Sequence, residues 1–188
     1  MTERINQISK EIKSSINLLE RFNLECCPIE IDCNKLNFDF HNNNILDDSY
    51  FKHRFEEIIK HQDNPAIYWF EFDTKKNSSE KILSIFETFK KKHPERNTPA
   101  IYKYLKDPNT SVLYLGKSKN ILWGRLIQHL GFHSNPASQG LLLSEWANDI
   151  DLKLVFKFIV FNKEMVDLIS FYEFKLSQII NPLIGKHK

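Results

Sequence analysis

Residues 100–117 read AIYKYLKDPNTSVLYLGK, and this stretch predicts two short strands joined by a tight turn. Apolar and aromatic residues fill both ends of it, whereas DPNT at 107–110 combines residue types that favour turns. The two predicted arms carry Tyr102 and Tyr114. Because tyrosine is common in strands, this pair is compatible with simple cross-strand packing as well as with a functional role.

Patterns on either side of this stretch predict a small α+β fold, with a small mixed sheet flanked by helices. The boundary is expected at 95–99, between an N-terminal α/β extension (1–97) and a second domain (98–188). The sequence PAIY at 65–68 recurs at 99–102, a similarity short enough to arise by chance between two strand starts. In chain order, the predicted elements are helix 3–22, hairpin 28–40, helix 49–61, strand 66–72, a helix after residue 77, strands 100–105 and 111–117, helices 119–130 and 139–147, strand 151–161 and helix 163–180.

Composition describes an ordinary globular chain. Of 188 residues, 41% are hydrophobic and 27% are charged, which excludes disordered, collagen-like and membrane-spanning classes. The net charge of +2 is too mild to establish a nucleic-acid partner, although residues 98–188 carry 11 basic and 7 acidic side chains. Charges recur through the first 22 residues, so no secretory leader is expected there. We therefore expect a cytoplasmic protein in which the three cysteines (Cys26, Cys27 and Cys33) are reduced.

The last predicted helix carries a carboxylate on or beside its apolar face. Glu173 lies four residues after Ile169 and three before Leu176, both of which belong to that face. A buried carboxylate needs a cation, a hydrogen-bond donor or a proton. Two interpretations remain open, a salt bridge at the edge of the helix and a metal ligand.

A second pair of polar residues lies on the helix predicted over 119–130. Arg125 and His129 are four residues apart and share one face. Arginine supplies a permanent charge and a planar fork of donors, and histidine can donate, accept or move a proton, so the pair suits phosphate chemistry. A pair of surface residues without a function is the alternative.

Taken in chain order, these pieces resemble the GIY-YIG nuclease superfamily over about residues 98–188. The resemblance includes Ala100-Ile101-Tyr102, Tyr114-Leu115-Gly116, Lys117-Ser118-Lys119-Asn120, Arg125, His129, Glu173 and Asn181-Pro182. It implies a DNA endonuclease, with DNA a more probable substrate than RNA, that uses one divalent ion, Mg²⁺ or Mn²⁺. It also implies that the catalytic residues are Tyr102, Tyr114, Arg125, His129 and Glu173, with Glu173 as the metal ligand and with Gly116, Lys117, Lys119 and Asn181 binding the substrate.

Three departures from the family pattern qualify this interpretation. Ala100 replaces the first glycine, one extra residue precedes Arg125, and Gly185 stands where many members carry asparagine. The alternative function is a nucleic-acid-binding or scaffold protein on a nuclease fold that has lost its activity. The helix predicted over 3–22 could dock on its own domain or form a homodimer.

Overall fold

The fold is described from a computed structural model. It describes residues 2–7, 10, 13, 27–36, 45–101, 107–133 and 137–185. The helix predicted over 3–22 is helical at residues 2–7, 10 and 13, and the rest of it lies outside the described residues.

Four strands form one antiparallel sheet, and the predicted α+β class is confirmed. In space their order is β1-β4-β2-β3, so β2 is bordered by β4 on one side and by β3 on the other. The strand predicted over 66–72 forms with those bounds, because its alternation of bulky apolar residues fills both faces of the sheet. The strands are β1 (Cys27–Asp32), β2 (Ala66–Phe72), β3 (Val112–Ser118) and β4 (Lys153–Val160).

Helices pack on both faces of this sheet. On one face, Tyr68 and Phe156 belong to a large core that also includes helix residues such as Phe86 and Leu126. On the other face, Ile67 and Leu115 form a smaller core with residues of the last helix. The helices are α1 (Lys52–Ile59), α2 (Ser79–Lys92), α3 (Leu122–Leu130) and α4 (Ile169–Ile180).

The partner of β3 differs from the predicted one. We expected residues 100–105 to pair with β3, but β3 pairs with β2, and Ile101 forms an isolated bridge with Ile184. Ile184 in turn bridges Tyr114 in parallel, so the C-terminal segment lies between residue 101 and β3. A turn motif constrains only the local backbone, so it does not decide which strand borders β3. Residues 102–106 lie outside the described residues.

The sheet draws strands from both sides of the predicted boundary at 95–99. The strands β1 and β2 come from the N-terminal segment, and β3 and β4 come from the C-terminal one. Residues 1–97 therefore supply two of the four strands on which the rest of the chain packs.

Two of the predicted elements between β3 and the C-terminus were wrong in type or length. Two 3-10 turns, at Leu143–Glu145 and Ala147–Ile150, replace the helix predicted over 139–147. One continuous helix does not form because Leu142 adopts a left-handed conformation with φ of 55°. The last helix begins at Ile169, after a 3-10 turn at Lys163–Met165. Within the hairpin predicted over 28–40, β1 pairs with β4, and residues 37–40 are outside the described part.

None of the helices within the described ranges combines the length and the apolar character needed to cross a bilayer.

Candidate functional site

Two tyrosines lie close together on neighbouring strands at one edge of the sheet. Tyr68 lies on β2 and Tyr114 on β3, and their ring centroids are 6.4 Å apart. Gly116 is directly opposite Tyr68 in the antiparallel register. A Cβ atom at Gly116 would lie 2.6 Å from the Tyr68 hydroxyl oxygen and 2.8 Å from Cε1 of Tyr114. Glycine is therefore needed at this position because the two phenol rings pack against its backbone.

Helix α3 brings Arg125 and His129 to these phenols. Leu122, Leu126 and Leu130 are buried and anchor one face of α3 to the core, which fixes the polar pair on a rigid support. The Arg125 Nε donates to the Tyr68 hydroxyl oxygen at 3.3 Å. The Arg125 guanidinium also donates to Gln128, so two partners fix its orientation.

The hydrogen bonds of His129 determine its tautomer. Its Nδ1 accepts from the backbone N–H of Leu141 at 3.2 Å, so this nitrogen carries no proton. Burial, with a smaller contribution from the charge of Arg125, holds the pKa of His129 well below its usual value. The ring is therefore neutral at pH 7, and its Nε2–H donates to the Tyr68 hydroxyl oxygen over 2.9 Å.

The phenol protons follow from the same arrangement. The Tyr68 oxygen accepts from both His129 and Arg125, which uses its two lone pairs. Burial raises the pKa of Tyr68 and of Tyr114, and this outweighs the opposing effect of Arg125. Both phenols therefore keep their protons at neutral pH. Tyr68 is fully buried and Tyr114 is 7% exposed, so Tyr114 is the phenol nearer to solvent.

Glu173 lies beside the same phenols. Its charge contributes to the raised pKa of both Tyr68 and Tyr114. It forms an ion pair with the ammonium of Lys117, the residue after Gly116 on β3. The side chain of Glu173 is 13% exposed and that of Lys117 is 33% exposed, so the pair lies at the open edge of the site.

The donor set fits a divalent ion held by one carboxylate. Among the described residues, no group of three or more His, Cys, Asp and Glu side chains is placed to hold a metal. Mg²⁺, however, commonly binds one or two carboxylates and completes its coordination with water and substrate phosphate. Glu173 already holds a cation, the Lys117 ammonium, in a partly exposed position. The carboxylate therefore suits a metal ion if Lys117 moves away.

Lys119 and Asn181, two further residues of the sequence prediction, do not belong to this cluster. Lys119 is exposed in the loop after β3. Asn181 caps the C-terminus of α4, about 12 Å along the helix axis from Glu173 at 1.5 Å per residue. The main chain of α4 next to it accepts from Thr110, which precedes β3, whereas Lys117 is near the other end of that strand. Tyr102 lies outside the described residues.

Tyr68 was missed by the sequence analysis. The resemblance led us to expect Tyr102 on the strand antiparallel to β3 and next to Tyr114. Tyr68 occupies that position instead. One signal pointed to it, the sequence PAIY that residues 65–68 share with 99–102. We interpreted that repeat as chance because two strand starts can share four residues without a common role.

Comparison of the chain with protein-family models, curated proteins and solved structures finds no significant match in any of the three. The function is therefore argued from the geometry of the site.

Proposed function

We propose that the chain is a divalent-metal-dependent endonuclease that hydrolyses phosphodiester bonds in DNA. The observation that supports this most directly is the meeting of two phenols, a guanidinium and a carboxylate at one edge of the sheet. These groups are Tyr68, Tyr114, Arg125 and Glu173, and they come from four different elements. We also propose a cytoplasmic location, which suits the buried free thiol of Cys33.

The proposed chemistry assigns each side chain a task. Glu173 would hold the metal ion, which would supply positive charge to the phosphate and to an attacking water. Arg125, held in place by Tyr68 and Gln128, directs its charge at the negative charge that develops on the phosphate oxygens. Tyr114, the less buried of the two phenols, would contact the substrate. Since His129 is fully buried, it acts through Tyr68 as a positioning residue.

A plasmid-nicking assay with Mg²⁺ or Mn²⁺ tests the proposal. Glu173→Gln and Arg125→Ala should each lower cleavage by about 100-fold or more, as is typical when one electrostatic contact with a transition state is lost. Glu164→Gln, at an exposed carboxylate outside the cluster, is the matched control for Glu173→Gln and should cleave normally. Thermal melts of each variant exclude unfolding as the cause. Equal cleavage by all of these proteins would reject the assignment.

The two candidate tyrosines can be separated in the same assay. We expect Tyr68→Phe to lose cleavage, because it removes the hydroxyl that orders Arg125 and Tyr114. Tyr102→Phe should retain cleavage if Tyr68 is the partner of Tyr114. The reverse result would return the role to Tyr102.

A nucleic-acid-binding scaffold is the second candidate. It is favoured by the ion pair that occupies Glu173 and by the burial of both phenols. A scaffold would bind labelled duplex DNA without cutting it, and Glu173→Gln would leave that affinity unchanged. Binding titrations run beside the nicking assay distinguish the two candidates.

A further inference from the structure

We propose that Lys117 is a built-in cation for Glu173, which a divalent ion displaces, and that the released ammonium then binds substrate phosphate. This inference rests on the proposed function, because it assumes that Glu173 holds the metal. It adds that metal loading and nucleic-acid binding are coupled through one side chain.

The pair is held by two rigid elements that pack against each other. Lys117 is near the end of β3 and Glu173 is in the second turn of α4. Leu115 lies two residues before Lys117 on β3, and Ile169 lies four residues before Glu173 on α4. Both are buried in the same small core. The backbone positions are therefore fixed, and only the long, flexible lysine stem has to move when the pair opens.

Because both side chains are partly exposed, displacing Lys117 from Glu173 costs little free energy. The two side chains are 33% and 13% exposed, so water screens their attraction in part. An ion pair of this kind typically changes an equilibrium constant by about 2- to 5-fold. A divalent ion carries twice the charge of the ammonium, so it can displace Lys117 from Glu173. Competition with Lys117 nevertheless lowers the affinity of the site for that ion by a measurable factor.

A second ion pair on the same sheet provides the comparison. Lys157 of β4 and Glu71 of β2 are 2.8 Å apart, with side chains that are 29% and 28% exposed. Glu71 also accepts from the indole N–H of Trp69 at 2.6 Å. The charge of Glu173 raises the pKa of both buried phenols, so the Lys117 pair neutralises a charge that acts on the site.

Release of Lys117 has a consequence for nucleic acid. The ammonium loses its carboxylate when a metal ion binds, and it remains within reach of the open edge of the site. A phosphate bound there would supply a new partner. Because coupling between two binding events is reciprocal, the metal should strengthen DNA binding by the same factor by which DNA strengthens metal binding.

Metal binding by the full chain without DNA tests the competition. Mn²⁺ affinity is measured by electron paramagnetic resonance for the wild type, Lys117→Met, Lys157→Met and Glu173→Gln. We expect Lys117→Met, which keeps an apolar stem, to bind Mn²⁺ about 2- to 5-fold more tightly than the wild type. Lys157→Met should match the wild type, and Glu173→Gln should lose binding. Thermal melts confirm that each variant is folded.

DNA affinity, measured by fluorescence anisotropy with and without non-catalytic Ca²⁺, tests the coupling. Ca²⁺ should strengthen duplex binding by the wild type, and Lys117→Met should reduce that gain to the part that the metal ion supplies by itself. If Lys117→Met binds Mn²⁺ no more tightly than the wild type while Glu173→Gln has lost it, the inference is wrong and the proposed metal ligand stands. If the wild type and Glu173→Gln bind Mn²⁺ equally, the metal ligand of the proposed function is wrong and the inference fails with it.

Discussion

At the scale of single residues, the site depends on the absence of one methyl group. Gly116 lies under both phenol rings, and a Cβ atom there would be 2.7 Å from Cζ of Tyr68. Neither ring can move freely, because Tyr68 is hydrogen bonded to His129 and Arg125 and is fully buried. The geometry of the hydroxyls is thus determined by the backbone of β3.

We expect Gly116→Ala to lower the free energy of unfolding by about 1–3 kcal/mol, the usual cost of overpacking a core. Urea denaturation measures it. Gly124→Ala is the matched control, since its Cβ would meet the γ-methyl group of Ile121 at 3.1 Å, on a residue that is 46% exposed. A similar loss in both variants would contradict the packing argument.

His129 makes the stability of the fold depend on pH. Its pKa in the folded state lies below the unfolded value, so below about pH 6.5 the unfolded chain binds a proton that the folded chain does not. The stability contributed by neutral His129 is therefore present above that pH and is lost as the pH falls. We expect a loss approaching 1.4 kcal/mol per pH unit from this one group.

Urea denaturation at several pH values between 7 and 5 measures this slope. His129→Gln is the matched variant, because an amide can accept from Leu141 and donate to Tyr68 without titrating. The free energy of unfolding of the variant should change less steeply with pH in this range, whatever its absolute stability. Equal slopes in the two proteins would show that His129 is not the group responsible.

Sequence predicts these residues unequally. The helical spacing of Arg125 and His129 and the position of Glu173 beside an apolar face are local properties, and the structure brings all three to the phenols. Tyr68 depends on which strand borders β3, and no local pattern encodes that choice. The tautomer of His129 likewise depends on Leu141, in a segment that we predicted as helix.

At the scale of elements, the C-terminal segment after α4 extends the sheet. Leu183 and Ile184 donate to Val112 and Leu113, each at 2.9 Å, and Gly185 donates to Ala100 at 2.8 Å. Gly185 has a φ of 101°, a conformation that glycine adopts and other residues rarely do. This backbone requirement explains the glycine at a position where the resembled family often carries asparagine.

We expect Gly185→Ala to destabilise the fold by about 1 kcal/mol or more, because a Cβ atom penalises this backbone conformation. The measurement is the free energy of unfolding, together with hydrogen exchange of the amides of Leu183 and Ile184. Faster exchange at these amides would locate the effect. Unchanged stability and exchange would mean that the segment does not need glycine.

At the scale of the whole molecule, the sheet joins the two halves of the chain. The strand β4 is bordered by β1 and β2, both from the N-terminal half. The pattern of apolar residues predicted the class of the fold correctly, because it indicates each strand separately. It could not predict the order of strands, which is set by the burial of the whole sheet.

A fragment of residues 98–188 should therefore fail to fold on its own. It would retain β3 and β4, which are not neighbours in the sheet, and it would lose the Tyr68 hydroxyl. Circular dichroism and a two-dimensional amide spectrum would detect this as low structure content and narrow dispersion. A cooperative melt of the fragment would contradict the described topology.

The position of β4 also bears on how the protein is made. Ribosomes deliver β1 and β2 long before β4, yet β1 pairs with β4 and β2 lies next to it. A nascent chain that ends before about residue 160 therefore exposes both N-terminal strands without their shared neighbour. Glu173 emerges later still, so the full set of side chains can meet only after nearly all of the chain has been translated.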